Sequence, residues 1–139
     1  SLEQLLVKWE TAKKLVPKAR IDIFDKDTDT GVIFFGTSSH ASYEAVDRLK
    51  EKEISLNTMR LLGFPFGEEV VDFVNNHKHI FVIEQNRDSQ LRTLIQTECS
   101  IAPEKLIRIN YFDGLPISAD FIVKEIIQVL SAYNTGGQS

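Results

Sequence analysis

A chain of 139 residues, 42% hydrophobic and 26% charged, has the composition of one soluble domain. At this size roughly 70% of the unfolded surface is buried on folding, so no disulfide or metal staple is required. A net charge of −4 without any basic run excludes a phosphate-tracking nucleic-acid binder, and no apolar run approaches the roughly 18 residues that would span a membrane.

In chain order, Leu2, Leu5, Leu6, Trp9, Ala12 and Leu15 form the apolar face of an amphipathic helix that stops at Pro17. Ile21 to Phe24 alternates apolar and polar residues as a half-buried strand does, and the polar segment from Asp25 to Gly31 follows. The simplest pairing is a hairpin with the next strand, Val32 to Phe35, which meets Gly36 and the run GTSSHAS. A helix from about Ser39 to Lys52 buries Ala45, Val46 and Leu49. Leu56 to Leu62 is a third strand. Pro65 and Gly67 then break the chain before a helix with Glu68 and Glu69 in its first turn and an apolar face of Val70, Phe73 and Val74.

The run IFVIEQNRDSQL, residues 80–91, is the most informative stretch. Four apolar residues, Ile80 to Ile83, end in the polar turn Glu84, Gln85, Asn86, Arg87 and Asp88, and a helix follows on Leu91, Leu94 and Ile95. Leu106 to Ile109 is a fifth strand, Asp113-Gly114 a turn, and Ser118 a cap for a last helix through Leu130 with Asp120 in its first turn. Strands and helices alternate from Val32 onward, which predicts a three-layer α/β/α domain with a mostly parallel five-stranded sheet. The expected division is a linker helix over 1–20, the α/β domain over 21–132 and a disordered tail over 133–139. A start at Ser1, directly into a helical pattern, suggests an excised piece of a longer chain; a trimmed start or a tag scar would look the same. The single cysteine, Cys99, cannot bridge internally, which points to a reducing cytoplasm.

Two strand-end constellations carry the functional candidates. Thr37, Ser38 and Ser39 offer hydroxyls beside helix-end amides, where a phosphate or carboxylate could be held; a serine that only caps the helix is the commoner arrangement. The loop matches neither a dinucleotide-binding glycine pattern nor a Walker loop. Glu84, Gln85, Asn86, Arg87 and Gln90 could form a polar pocket, with Arg87 gripping an oxyanion through two hydrogen bonds. They could equally form an internal network or an inter-domain contact, because a buried charged turn must be hydrogen-bonded whatever it does. His77 and His79 lack metal-ligand spacing to any further donor, and Asp25, Asp27 and Asp29 start like a calcium loop without its glycine or closing glutamate. Cys99 shows no partner base and reads as a small apolar residue.

The order of motifs resembles the carboxy-terminal part of the alpha subunit of 2-oxoacid:ferredoxin oxidoreductases, above all the 2-oxoglutarate type. The matching runs are GVIFFGTSSHASYEAVDRL (31–49), LNTMRLLGFPF (56–66), FVIEQNRDSQLRTLI (81–95) and DGLPISADFIV (113–123). The resemblance covers about residues 31–130, and the EQN turn with its QLR helix is its most specific part. The chain departs from the family at Ser89, usually glycine, and near Gly63, where a proline is usual.

The resemblance implies a transketolase carboxy-terminal-like domain whose first strand is antiparallel and pairs with Leu56 to Leu62 rather than with Val32 to Phe35. It implies a holoenzyme that uses thiamine diphosphate, Mg2+ and an iron-sulfur cluster to decarboxylate a 2-oxoacid, transfer the acyl group to coenzyme A and reduce ferredoxin. Its partners would be the other alpha-subunit domains and the beta subunit, with no nucleic acid and no membrane. Neither the diphosphate-metal motif nor the cluster cysteines occur in this chain, so alone it is expected to be inactive, a scaffold or docking domain that itself holds no cofactor. The alternative is a stand-alone module binding coenzyme A or a nucleotide through Thr37, Ser38, Ser39 and Arg87.

Overall fold

The computed structural model describes residues 19–63, 66–84, 90–111 and 116–137. The expected helix at Leu2–Val16, the turn residues Gln85 to Ser89 and the Asp113-Gly114 turn lie outside the described residues. Five strands, β1 (Ala19–Asp22), β2 (Thr30–Phe35), β3 (Asn57–Leu61), β4 (His79–Glu84) and β5 (Leu106–Asn110), form one sheet in the order β1-β3-β2-β4-β5. β1 is antiparallel to β3, and every other pairing is parallel. Four helices accompany them among the described residues: α1 (Ser39–Glu51), α2 (Glu68–Asn75), α3 (Gln90–Cys99) and α4 (Ala119–Gly137).

The central strands are apolar on both faces because both faces are covered. Val32, Ile33, Phe34, Ile80, Phe81 and Val82 are all fully buried. Alternation divides them between two cores. Val32, Phe34, Phe81, Ile83 and Ile109 pack with Ala45, Val46 and Leu49 of α1 and Ile122 and Ile126 of α4. Ile33, Met59, Ile80, Val82 and Leu106 pack with Val70, Phe73 and Val74 of α2 and Leu91 and Ile95 of α3. Each large side chain so buried contributes roughly 1.5–3 kcal/mol. The three-layer expectation is met, with α1 and α4 on one face and α2 and α3 on the other.

The hairpin read from the sequence alone does not form. β1 pairs with β3, as the resemblance implied, in the register Ala19↔Leu61 to Asp22↔Thr58. β1 also begins and ends two residues earlier than the alternation suggested. The pairing stops at Asp22↔Thr58, one step short of the first residue of β3, and Ile23 and Phe24 beyond it are 54% and 47% exposed. Asn57 instead takes the following turn: the Asp25 N–H donates to its Oδ1, and its Nδ2 donates to the Asp25 carbonyl, both at 3.0 Å. At the other end of the chain, Ser118 Oγ accepts the Phe121 N–H at 3.2 Å and caps α4 as expected. α4 runs to Gly137, past the apolar pattern that ends near Leu130. No helix among the described residues is long and apolar enough to cross a membrane.

Two backbone positions are tight. A Cβ on Gly31, inside β2, would come within 2.9 Å of the Phe73 ring and 3.3 Å of His77. Gly31→Ala is therefore expected to cost about 1–3 kcal/mol, read as a lower urea midpoint. Glu53, just past α1, has φ 64 so that the Ile54 N–H can reach the Leu49 carbonyl at 2.9 Å. Glu53→Gly should raise stability by about 1 kcal/mol in the same assay.

Candidate functional site

The connection from β2 to β3 passes over one face of the sheet through α1, while the connection from β4 to β5 passes over the other through α3. β2 and β4 are neighbours, so the chain leaves their carboxyl ends in opposite directions and opens a crevice there. Gly36–Ser39 ends β2 and Glu84 ends β4. The two constellations singled out in the sequence thus meet at one place, the point in an α/β sheet where ligands and partner segments are usually met.

The hydroxyls of the first loop are turned inward. Ser38 is buried and donates to the Phe35 carbonyl at 3.3 Å, and Ser39 donates to the Gly36 carbonyl at 2.8 Å. Neither caps an amide of α1, so the serine cap expected there is not made; a short 3-10 turn, Gly36–Ser38, leads into α1 instead. Ser42, one turn later, also donates back, to the Ser38 carbonyl at 2.7 Å. Thr37 is exposed.

Glu84 is the most constrained residue of the second constellation. It is 5% exposed, and its Oε1 accepts the Leu91 N–H at 2.5 Å, so the last residue of β4 caps α3 across the intervening turn. Burial pushes its carboxyl above the usual range. The Leu91 and Arg92 amides, and the charges of Arg108 and Arg92, pull the other way with less effect. Its Oε2 is enclosed with no partner among the described residues. The same holds for both polar side-chain atoms of Asn110, which stands beside Glu84 in register on β5. Arg92 fastens α3 to the start of β5, donating to the carbonyls of Leu106 and Pro103 at 3.1 Å each. Asn86 and Arg87 lie outside the described residues, as does the side chain of Gln90, which opens α3.

A cleft of about 560 Å3 lies at the opposite, amino end of the parallel strands. Ile21, Ile23 and Phe73 wall it, and Asn57 and His77 lie at its base. His77 is buried; its Nδ1 meets the Phe73 carbonyl at 2.6 Å and must donate, so Nε2 accepts from Asn57 Nδ2 at 3.0 Å. These groups are fully engaged in holding the turn after β1 to the end of α2. His79 stacks on Tyr133 with ring centroids 4.6 Å apart. Asp25 accepts the Asp27 N–H in a local turn, and no three His, Cys, Asp or Glu side chains among the described residues come together as metal donors. The Cys99 thiol, half-buried against the α2–α3 core, is pushed up by burial and by Glu98, the wrong direction for a nucleophile.

Sequence reasoning passed over Arg60, on β3. A lone cation within an otherwise uncharged strand of a doubly covered sheet was the available signal. Thr58 and Tyr43, whose hydroxyls are enclosed without partners among the described residues, were missed with it.

The fold is one shared with transketolase carboxy-terminal-like domains: three layers and a mixed five-stranded sheet with its first strand antiparallel, here with a polar edge at the carboxyl ends. Among solved structures, the chain is similar to 2-oxoglutarate:ferredoxin oxidoreductase from Magnetococcus marinus with 2-oxoglutarate, coenzyme A and succinyl-CoA bound. The TM-score is 0.75 at 24% identity, covering 86% of this chain and 21% of that one. It is similar to a split-gene transketolase in an inactive β4 tetramer (TM-score 0.63, 15% identity, 81% of this chain and 41% of that one). It is also similar to the alpha chain of a probable 2-oxoacid ferredoxin oxidoreductase from Thermoplasma acidophilum (TM-score 0.55, 24% identity, 82% of this chain and 97% of that one). The chain therefore spans about a fifth of the Magnetococcus chain and nearly all of the Thermoplasma one. At these identities the likeness is one of fold. No family model and no curated protein sequence matches the chain.

Because the Glu84 carboxyl titrates higher in the folded chain than in the unfolded one, the native state binds its proton more readily. The associated stability is full below the unfolded value near pH 4.3 and is lost as pH rises through the folded value. Glu84→Gln keeps an oxygen for the Leu91 amide and removes the buried charge. Urea melts should show the variant more stable than the parent at pH 7, with the difference vanishing towards pH 4.

Proposed function

We propose that this chain is a structural and docking domain of a thiamine-diphosphate-dependent 2-oxoacid:ferredoxin oxidoreductase, the tail of its alpha subunit, and is inactive by itself. The observation that carries this reading is the fold likeness to chains of two such oxidoreductases, over 86% and 82% of this chain. The residue runs quoted above support it from the sequence side. So does the way the crevice groups are used: Glu84 is engaged by α3, and Ser38 and Ser39 by their own loop.

The described residues do not fit the cofactors of such an enzyme. They bring no three metal donors together, and Cys99 is their one cysteine. Thiamine diphosphate, Mg2+ and the iron-sulfur cluster would be held by other domains and the beta subunit, and this chain's contribution is to present the crevice edge to them. The complete enzyme would act in the cytoplasm on a 2-oxoacid, coenzyme A and ferredoxin.

The test is capture from an extract of the source cells with an antibody against this chain. The expected catch reduces a viologen dye only when given both a 2-oxoacid and coenzyme A, while the purified 139-residue chain does not. A catch of about this size, without partners or that activity, overturns the reading.

A further inference from the structure

The sheet face that carries α1 and α4 is covered by them over β2, β4 and β5, and its outer part is polar. Met59 and Leu61 of β3 and Ile21 of β1 belong to the core on the other face, so alternation turns Thr58, Arg60, Arg20 and Asp22 to this one. The register sets Arg60 directly opposite Arg20, and like charges so placed repel. Arg20 is relieved by Asp22, at 3.5 Å. Arg60 has no such relief: it forms no ion pair among the described residues, and its Nε is enclosed without a hydrogen-bond partner.

Arg60 also lies against the start of α1. A Cβ on Gly36 would come within 3.0 Å of its Nη2, so the guanidinium lies close against this loop and a side chain there would press on it. α1 begins three residues further on, at Ser39, and its first amides carry the helix's partial positive charge. Thr58, two residues towards the amino end on this same face, is wholly buried, and its hydroxyl has no partner among the described residues. The same is true of the hydroxyl of Tyr43, one turn into α1 and edge-on to Phe34 at 5.1 Å; Phe34 stands beside Arg60 in register. Two arginines thus face each other across β1 and β3 beside the loop that leads into α1, and Asp22, the carboxylate paired here among the described residues, is committed to Arg20.

We propose that Arg60, with Arg20 beside it, binds a small oxyanion, a carboxylate or phosphate group, at the amino end of α1. An arginine fork offers two parallel donors to either group, and the bound charge removes the repulsion between the two guanidinium groups. The site is independent of the oxidoreductase reading. It also differs from the anion clamp expected of Thr37, Ser38, Ser39 and Arg87, for its cation comes from β3.

The experiment follows arginine Nε–Hε resonances of the 139-residue chain by NMR during titration with inorganic phosphate and with malonate, at ionic strength held constant with chloride. One resonance, identified by its loss in Arg60→Lys, should move saturably with at least one of the two ions. Arg60→Gln should weaken binding roughly tenfold or more, Arg20→Gln less, and Arg108→Gln on β5 not at all. Gly36→Ala, which crowds the guanidinium without removing it, should also weaken binding. A response to both ions no different from that to chloride overturns the proposal, as does undiminished binding by Arg60→Gln. The titration of the unmutated chain decides the matter even if a variant fails to fold.

Discussion

The position of β2 between β3 and β4, with a helix layer on each face, is the constraint on which the rest of this domain depends. A strand hydrogen-bonded on both edges and covered on both faces has no polar surface to spare, which is why its middle residues Val32, Ile33 and Phe34 are apolar without alternation. It also has no room for a side chain at one point of close approach, hence Gly31 beneath Phe73. Because α1 and α3 leave β2 and β4 on opposite faces, the crevice at the carboxyl ends is a consequence of the sheet order rather than an added feature.

Polar groups at the two ends of the sheet are used differently. At the amino end they are mutually satisfied: Asn57 bonds both backbone groups of Asp25 and the His77 ring, and Thr28 donates to the Ser55 carbonyl at 2.8 Å. That end is a clasp holding β1 and its turn to the parallel core. Towards the carboxyl end, buried polar atoms remain without partners among the described residues, on both faces: Glu84 and Asn110 on one, Arg60 on the other. Unsatisfied buried groups cost stability, so their concentration along the strand ends where foreign groups are met fits a surface completed by something else.

Much of this was legible in the sequence, for identifiable reasons. Runs such as Ile80 to Ile83 have no reading but a buried strand once a polar turn and a helix follow, and the faces of α2 and α3 followed from helical spacing. The partner of β1 was not legible from pattern, because alternation in a short segment says which face is buried and nothing about which strand lies alongside; only the family resemblance supplied that. The limits of β1 were misread because its end is set where the Asn57 side chain takes hold of the turn at Asp25, a long-range fact. That Gly36–Ser39 and Glu84 stand at strand ends was legible, yet the directions of their bonds were not. Serines beside a helix start suggest caps, whereas the tight 3-10 turn after Phe35 brings carbonyls within reach first. Arg60 escaped notice because a single charged residue in a strand announces neither its face nor its neighbours.

Among the described residues the crevice groups are tied to their own loops and helices, Glu84 to the Leu91 amide and Ser38 and Ser39 to the carbonyls of Phe35 and Gly36. The docking role proposed above requires that the edge formed by Gly36–Ser39 and by Glu84 with the start of α3 meet another part of a larger assembly. Hydrogen–deuterium exchange of the isolated chain, compared with the same residues in the assembly captured from cells, tests it most directly. The account predicts slowed exchange in the assembly at amides 36–40 and 90–92, with the amino-end turn at 25–29 unchanged. Equal exchange at the carboxyl edge in both samples, or protection confined to the amino end, would contradict it.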